Sequence, residues 1–511
     1  MAVARRRTAL AGLVLGVMMA MTAGRTSAAD PPDPGALARD LDALLAKADV
    51  DKADVAVTIM DLGTPGAPAQ PRTIYSRLPD RPFVPASNMK LLTTAACFDR
   101  LGPDWAIRTH VGRVPSPRGK DTWDLAVIGG GDPNISGRFY GGDTVGAFRQ
   151  WARVLITRGV VRLERVVLDD TLFDAQLVHP NWPADQRGEW YEAPASALPI
   201  NDNCVNVHVS PGSVGGPARV RFEPPGSGIR LLGSIETVAN RKAHRYSLER
   251  LVDSDGMAIR AGGHFWAEAP ERVEYRTLAD PTGVFGSALV ATLRAAGIAV
   301  AGPVVRESLT VPRGAAKREF VCDLIHTSRL GATCAVANGR SQNLYAECLM
   351  KLLGAYALTP KVTTPKPPRQ GSWDAGREEV MRWLSERGIP SAGCVIDDGS
   401  GLSKRNRLTV FTLARVLALM DRVHGARWRA TLAVAGDPGG SLRSRMNNTA
   451  AEGRVAAKTG YVLGASALSG YAETDSGRRL AFAILINGFR YGHLWKARLV
   501  QDKMCIRMVA Y

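Results

Sequence analysis

The apolar and polar positions divide this chain into a few clear elements. Val55 to Leu62 is a β-like run, and Thr73-Ile74-Tyr75-Ser76 follows it after a Pro/Gly-rich turn, which predicts two neighbouring strands. From Met89 to Leu101 the apolar spacing becomes helical, and Gly102-Pro103 ends it. At the far end, Ala467 to Glu473 and Leu480 to Asn487 flank the turn Thr474-Asp475-Ser476-Gly477, which predicts an antiparallel hairpin. Leu494 to Val509 reads as a closing helix packed on a sheet, because Cys505, Ile506, Met508 and Val509 need burial.

Between these ends lie short β-like runs, such as Val160 to Leu168 and Val205 to Val209, broken by Pro/Gly turns. One helix is expected over Val284 to Ala296, before Gly297, and a Pro/Lys/Thr-rich surface loop over Pro360 to Ser372. A length of 511 residues exceeds one ordinary core, so two or three domains are expected.

Composition changes the picture at the N-terminus. Arg5-Arg6-Arg7, the apolar stretch Thr8 to Gly24 and the small residues Ser27-Ala28-Ala29 have the order of a cleaved export signal. The expectation is an exported protein of the periplasm or cell envelope, cut near Ala29. Seven cysteines are sparse for this length and contain no Cys-x-x-Cys, so burial as small apolar side chains is expected for most. No metal site is suggested. The formal charge of +17 is spread along the chain rather than gathered in a run. With no nucleic-acid motif present, it points to anionic envelope surfaces rather than nucleic acid.

The candidate chemistry lies in three short motifs, each unique and in a fixed order. They are Ser87-Asn88-Met89-Lys90, Ser341-Gln342-Asn343 and Lys458-Thr459-Gly460. Singly, each reads as an ordinary helix cap or strand end; together they are the signature of serine acyl-transfer enzymes of the penicillin-binding and β-lactamase type. A hydroxyl needs a neighbouring base, and Lys90 projects from the same helical face as Ser87 one turn along. Burial and a second cation, Lys458, can lower the lysine pKa enough for it to take the proton. Ser341 can relay a proton to the leaving amine, and Asn343 can fix substrate backbone. Lys458 and Thr459 suit a substrate carboxylate, and the backbone N–H groups of Ser87 and Tyr461 can serve an oxyanion. Gly129 to Asp132 lacks the Lys-Ser/Thr of a phosphate-binding loop and reads as a turn.

With these motifs go Pro85-Ala86-Ser87, Gly129-Gly130-Gly131-Asp132-Pro133, Trp190 to Pro194, Asp398 to Ser403 and Gly440-Ser441-Leu442. The chain thereby resembles the class C low-molecular-mass penicillin-binding proteins, the D-alanyl-D-alanine carboxypeptidase/endopeptidase family. That resemblance implies an α/β (α+β) fold: a DD-peptidase domain with an antiparallel sheet flanked by helices, split by a large β-rich insertion. The expected division is 30–112 with 316–511 for the peptidase domain and 113–315 for the insertion, which suits the long interval between Ser87 and Ser341. It implies action on peptidoglycan stem peptides without a cofactor, inhibition by β-lactams, and an insertion aspartate, matched loosely by Asp185, facing the stem-peptide amine. Tyr461 departs from the family pattern, in which a small hydroxyl residue follows Lys-Thr-Gly.

Two alternatives accompany this reading. A serine β-lactamase would need a fast deacylation base, and no Glu-x-x-Leu-Asn is present. A non-catalytic wall-binding protein would not require the complete set of motif residues.

Overall fold

The computed structural model describes residues 33–66, 70–254, 256–309, 319–358 and 369–511. The expected export segment 1–29 and residues 360–368 of the expected surface loop lie outside them. No helix among the described residues is long and apolar enough to cross a membrane.

Strands from residues 54–77 and 433–487 build one antiparallel sheet of six strands. Its order is Ala433–Val434, Val455–Val462, Ala465–Glu473, Arg479–Asn487, Asp54–Asp61 and Arg72–Arg77. The strand Arg479–Asn487 shows why it lies between two helical layers. Leu480, Phe482, Ile484 and Ile486 point to one face, where they pack with Met504 and Met508 of the closing helix Leu494–Val509 and Leu41 of the first helix, Pro34–Ala46. Ala481, Ala483 and Leu485 point to the other face and meet Leu413, Leu417 and Met420 of the helix Val410–Arg429. Every side chain of this strand up to Ile486 is buried, so the apolar run is continuous rather than alternating.

The helix Met89–Arg100 runs through the second layer and is buried from Met89 to Phe98, which explains why its apolar residues encircle it. It stops where Leu101 donates to the Cys97 carbonyl and Gly102 turns left-handed, at φ +91°. Asp99, at its end, accepts from Trp383 and Arg387.

A separate cluster of buried apolar residues lies between Val111 and Val300. A mixed sheet orders Val304–Arg306, Val166–Asp169, Trp123–Ile128, Ala106–Pro115 and Val321–Arg329. The helices Gly146–Thr157 and Pro281–Ala295 pack Phe148, Trp151 and Phe285 together. Smaller sheets, including the antiparallel set Arg272–Thr277, Cys204–Ser210 and Arg219–Glu223, complete the β-rich content. The chain leaves and returns along the antiparallel pair Ala106–Pro115 and Val321–Arg329. Leu330 N–H donates to the Trp105 carbonyl at 2.9 Å where the two crossings meet.

All seven cysteines are free thiols; five are buried, Cys394 is half-buried and Cys322 is exposed. Gly129 to Asp132, expected as a turn, is a buried stretch, with the turn following at Pro133 and Asn134. A Cβ on Gly130 would lie 2.1 Å from the Arg108 carbonyl oxygen, so the glycines there serve close backbone contact.

Candidate active site

Ser87 sits in a single 3₁₀ turn, Ala86–Asn88, immediately before the buried helix. Ala86 is left-handed at φ +46°, an unfavourable conformation for a residue with a Cβ. The turn is held from two sides. Phe83 and Leu408 exchange backbone hydrogen bonds at 2.8 and 2.9 Å, and Asn88 Nδ2 donates to the Lys458 carbonyl at 2.9 Å.

Lys90 is fully buried one helical turn from Ser87. Its Nζ lies 3.0 Å from Ser87 Oγ, 2.7 Å from Asn343 Oδ1 and 2.8 Å from the Ser400 carbonyl oxygen. Two of these neighbours can only accept. A neutral amine has two N–H groups for them, which leaves its lone pair for the Ser87 hydroxyl proton. Burial lowers the Lys90 pKa from the usual lysine range to about 7, against the pull of the Glu347 and Asp398 carboxyls. Glu347 is pushed up to about 7, chiefly by burial and then by Asp398.

The loop Asp397–Ser403 presents the Ser400 carbonyl. Glu347 accepts from Gly399 N at 2.9 Å, Ser400 N at 2.8 Å and Trp373 Nε1 at 2.7 Å. Asp398 accepts from Gly401 N and Ser403 N at 2.7 Å and from Asn406 Nδ2 and Trp182 Nε1 at 2.8 Å. Gly401 is left-handed at φ +84°, and a Cβ there would lie 1.8 Å from the Ala86 carbonyl oxygen. Gly401→Ala is therefore expected to destabilise the fold by about 2 kcal/mol or more and to slow penicillin labelling. Thermal unfolding and labelling rate check this; an unchanged rate with unchanged stability would show that the loop does not hold Lys90.

Ser341 is left-handed at φ +61° and precedes the helix Asn343–Tyr356, whose N-cap is Gln342. Asn343 Nδ2 donates to the Tyr191 carbonyl at 2.7 Å, so a segment 152 positions earlier in the chain fixes this motif side chain. Lys458 is fully buried, and its Nζ donates to Ser341 Oγ at 2.8 Å and the Thr459 carbonyl at 2.6 Å. Burial, and then the Lys90 charge, hold its pKa well below the usual lysine range. Thr459 Oγ1 donates to Ser441 Oγ at 3.0 Å. A Cβ on Gly460 would sit 3.1 Å from Ser87 N, so the strand end Val455–Val462 lies against the backbone of Ser87.

These elements open on a cleft of about 840 Å³ lined by Ser87, Ser341, Asn343, Thr459 and Tyr461. Asp185 lines it too and is exposed there, the one carboxylate among the described lining residues, beside the cations Lys404, Arg445 and Arg498. Lys458, expected at a substrate carboxylate, lies behind this wall and reaches the cleft through Ser341. Ser87, Lys90 and Asn343 thus form one hydrogen-bonded group and Ser341 with Lys458 a second, tied to the first through Asn88 Nδ2 on the Lys458 carbonyl. Tyr191, Ser400, Asp398 and Ser441 carry no role in the motif pattern, although all four lie in segments that carry the resemblance. Glu347 was missed altogether; its signal is an acid within the apolar run Tyr345 to Leu353, four residues after Asn343.

The D-Ala-D-Ala carboxypeptidase 3 (S13) family matches residues 37–505. The D-alanyl-D-alanine carboxypeptidase of Actinomadura sp. (strain R39) is 34% identical over 490 residues, covering 93% of this chain and 85% of that protein. Carboxypeptidase DacB of Mycolicibacterium smegmatis is 27% identical, over 80% of this chain and 72% of its own. Among solved structures, penicillin binding protein 4 of Haemophilus influenzae shares the fold at a TM-score of 0.72 and 20% identity, covering 91% of this chain and 98% of its own. On the extent of the family match and the identity to the Actinomadura protein, the chain belongs to the D-Ala-D-Ala carboxypeptidase 3 (S13) family.

Proposed function

We propose that this chain cleaves the terminal D-Ala-D-Ala bond of peptidoglycan stem peptides, and the equivalent bond of cross-links, through an acyl-enzyme on Ser87. The observation that carries this reading is Lys90 Nζ, 3.0 Å from Ser87 Oγ, buried and lowered to about pKa 7. Lys90 takes the Ser87 proton as Oγ attacks the carbonyl of the penultimate D-alanine. The N–H groups of Ser87 and Tyr461 receive the oxyanion, and Ser341, hydrogen-bonded to Lys458, protonates the leaving amine. Water then attacks the ester, the proton returns by the same groups, and Ser87 is regenerated.

Thr459 suits the terminal carboxylate. Lys458 supports it through its hydrogen bond to Ser341, since its own amine has no direct place on the cleft wall. Asp185 is assigned to the free amine of the stem-peptide diamino acid. One carboxylate and the cations Lys404 and Arg498 around one cleft suit a substrate that carries both an amine and a carboxylate, whereas Arg445 is already paired with Asp502 at 2.6 Å. β-Lactams acylate the same serine; a complex of the Haemophilus protein with a β-lactam has been solved. The charge of +17 would favour anionic envelope surfaces, an attraction that added salt weakens.

The test is digestion of purified muropeptides with product masses, alongside the lifetime of the penicilloyl adduct. Free D-alanine or split cross-linked dimers, with an adduct that persists, are expected. Rapid adduct hydrolysis without muropeptide cleavage would make the protein a β-lactamase instead.

A further inference from the structure

A second cavity, of about 330 Å³, adjoins the catalytic cleft, and no step of the reaction above uses it. Trp190 lines both spaces, and Gln342 lines the second from its place beside Ser341. The far wall comes from the insertion. Tyr275 and Asn206 are directly opposed partners on the antiparallel strands Arg272–Thr277 and Cys204–Ser210. The floor is the turn Asn201-Asp202-Asn203, in which three successive non-glycine residues are left-handed, at φ +46°, +56° and +52°. Such a run is costly and persists only where the surroundings enforce it.

The chemistry of the lining is selective. The one charged pair, Arg138 and Asp202, is closed on itself at 2.6 Å, so the cavity offers no free charge to an ionic ligand. Two aromatic rings remain accessible, Trp190 at 41% and Tyr275 at 47%. Thr144 and Gln342 are 5% and 9% exposed, and neither side chain bonds to a protein group among the described residues, although both face this space. Uncharged polar side chains on the cavity wall that bond to no protein group among the described residues, together with exposed rings, describe a site for a neutral, hydroxyl- and amide-bearing ligand.

We infer that this cavity is a saccharide subsite, which holds an uncharged N-acetylated sugar of the same polymer whose stem peptide lies in the adjoining cleft. The inference rests on the peptidoglycan reading for the identity of the polymer; the geometry of the cavity does not depend on it. A sugar would stack on the Tyr275 or Trp190 ring, and its hydroxyl and acetamido groups would pair with Thr144, Gln342 and Asn206.

The test needs no turnover. Saturation-transfer NMR with an N-acetylglucosamine trimer is applied to the wild-type protein, Tyr275→Ala and Tyr275→Phe. Transfer is expected with wild type and Tyr275→Phe, and a fall of about three- to tenfold in affinity with Tyr275→Ala, as for loss of one stacked ring. No transfer to wild type, or equal transfer to all three proteins, would overturn the proposal. In kinetics, a disaccharide-bearing pentapeptide should show a lower KM than the sugar-free pentapeptide. Tyr275→Ala should erase that difference without altering the sugar-free rate. An effect of Tyr275→Ala on a sugar-free cross-linked dimer instead would give the cavity to a second peptide and refute the saccharide. D-Alanine release from the sugar-free pentapeptide reports separately on the peptidase reading.

Discussion

Replacing Ser87 by alanine is expected to abolish covalent labelling by fluorescent penicillin and to lower D-alanine release by at least about 10⁴-fold, with the fold retained. Ser87 is only half-buried, and among the described residues its hydroxyl has one hydrogen-bond partner, Lys90 Nζ, so its removal creates no large cavity. The reaction loses its nucleophile, whereas the cleft, the Ser87 N–H and the Lys458–Ser341 contact remain. Binding of β-lactam should therefore survive as a weak, reversible event while acylation disappears. Intact-protein mass spectrometry distinguishes the two; a penicilloyl adduct formed at the wild-type rate would move the nucleophile elsewhere.

Lys90→Ala is expected to slow acylation by about 10²–10⁴-fold, the usual contribution of a positioned general base. The wild-type acylation rate should also rise with pH around 7, far below an ordinary lysine. The sign follows from the charge state. Below about 7 the buried amine is an ammonium without a lone pair, and above it the neutral amine can accept the Ser87 proton. The Glu347 carboxyl holds the Lys90 pKa up, so Glu347→Gln should move the limb to lower pH. Stopped-flow acylation across pH 5 to 10 checks this. A limb that stays in place in Glu347→Gln, or a Lys90→Met variant acylating at the wild-type rate, would assign the base to another group. The methionine variant keeps the buried volume and separates loss of the amine from a packing defect.

Legibility in the sequence followed the range of the physics. The helix Met89–Arg100 and the strand Arg479–Asn487 were readable because local apolar spacing and turn residues fix them. The 3₁₀ turn at Ala86–Asn88 was not, since a left-handed alanine is imposed by contacts with Leu408 and Lys458 rather than by its own preference. Helix Asn343–Tyr356 starts after Ser341, with Gln342 as its cap, and Ser341 itself is left-handed with its hydroxyl accepting from Lys458, a partner 117 positions away. Glu347 and Asp398 acquire their roles only through donors brought from Trp373, Trp182 and the Gly399–Ser403 loop.

By itself the amino-acid order determined which groups could react: a serine with a lysine one helical turn away, a second hydroxyl–amide pair, and a lysine–threonine strand end. Those are matters of residue type and short spacing. Tertiary structure alone decided how each group behaves. The Lys90 proton affinity depends on burial and on two carboxyls 257 and 308 positions away (347 − 90 and 398 − 90). The position of Asn343 depends on a Tyr191 carbonyl from a distant part of the chain. Electrostatic energies and hydrogen bonds act through space, and their partners are set by the closed fold rather than by neighbours along the chain.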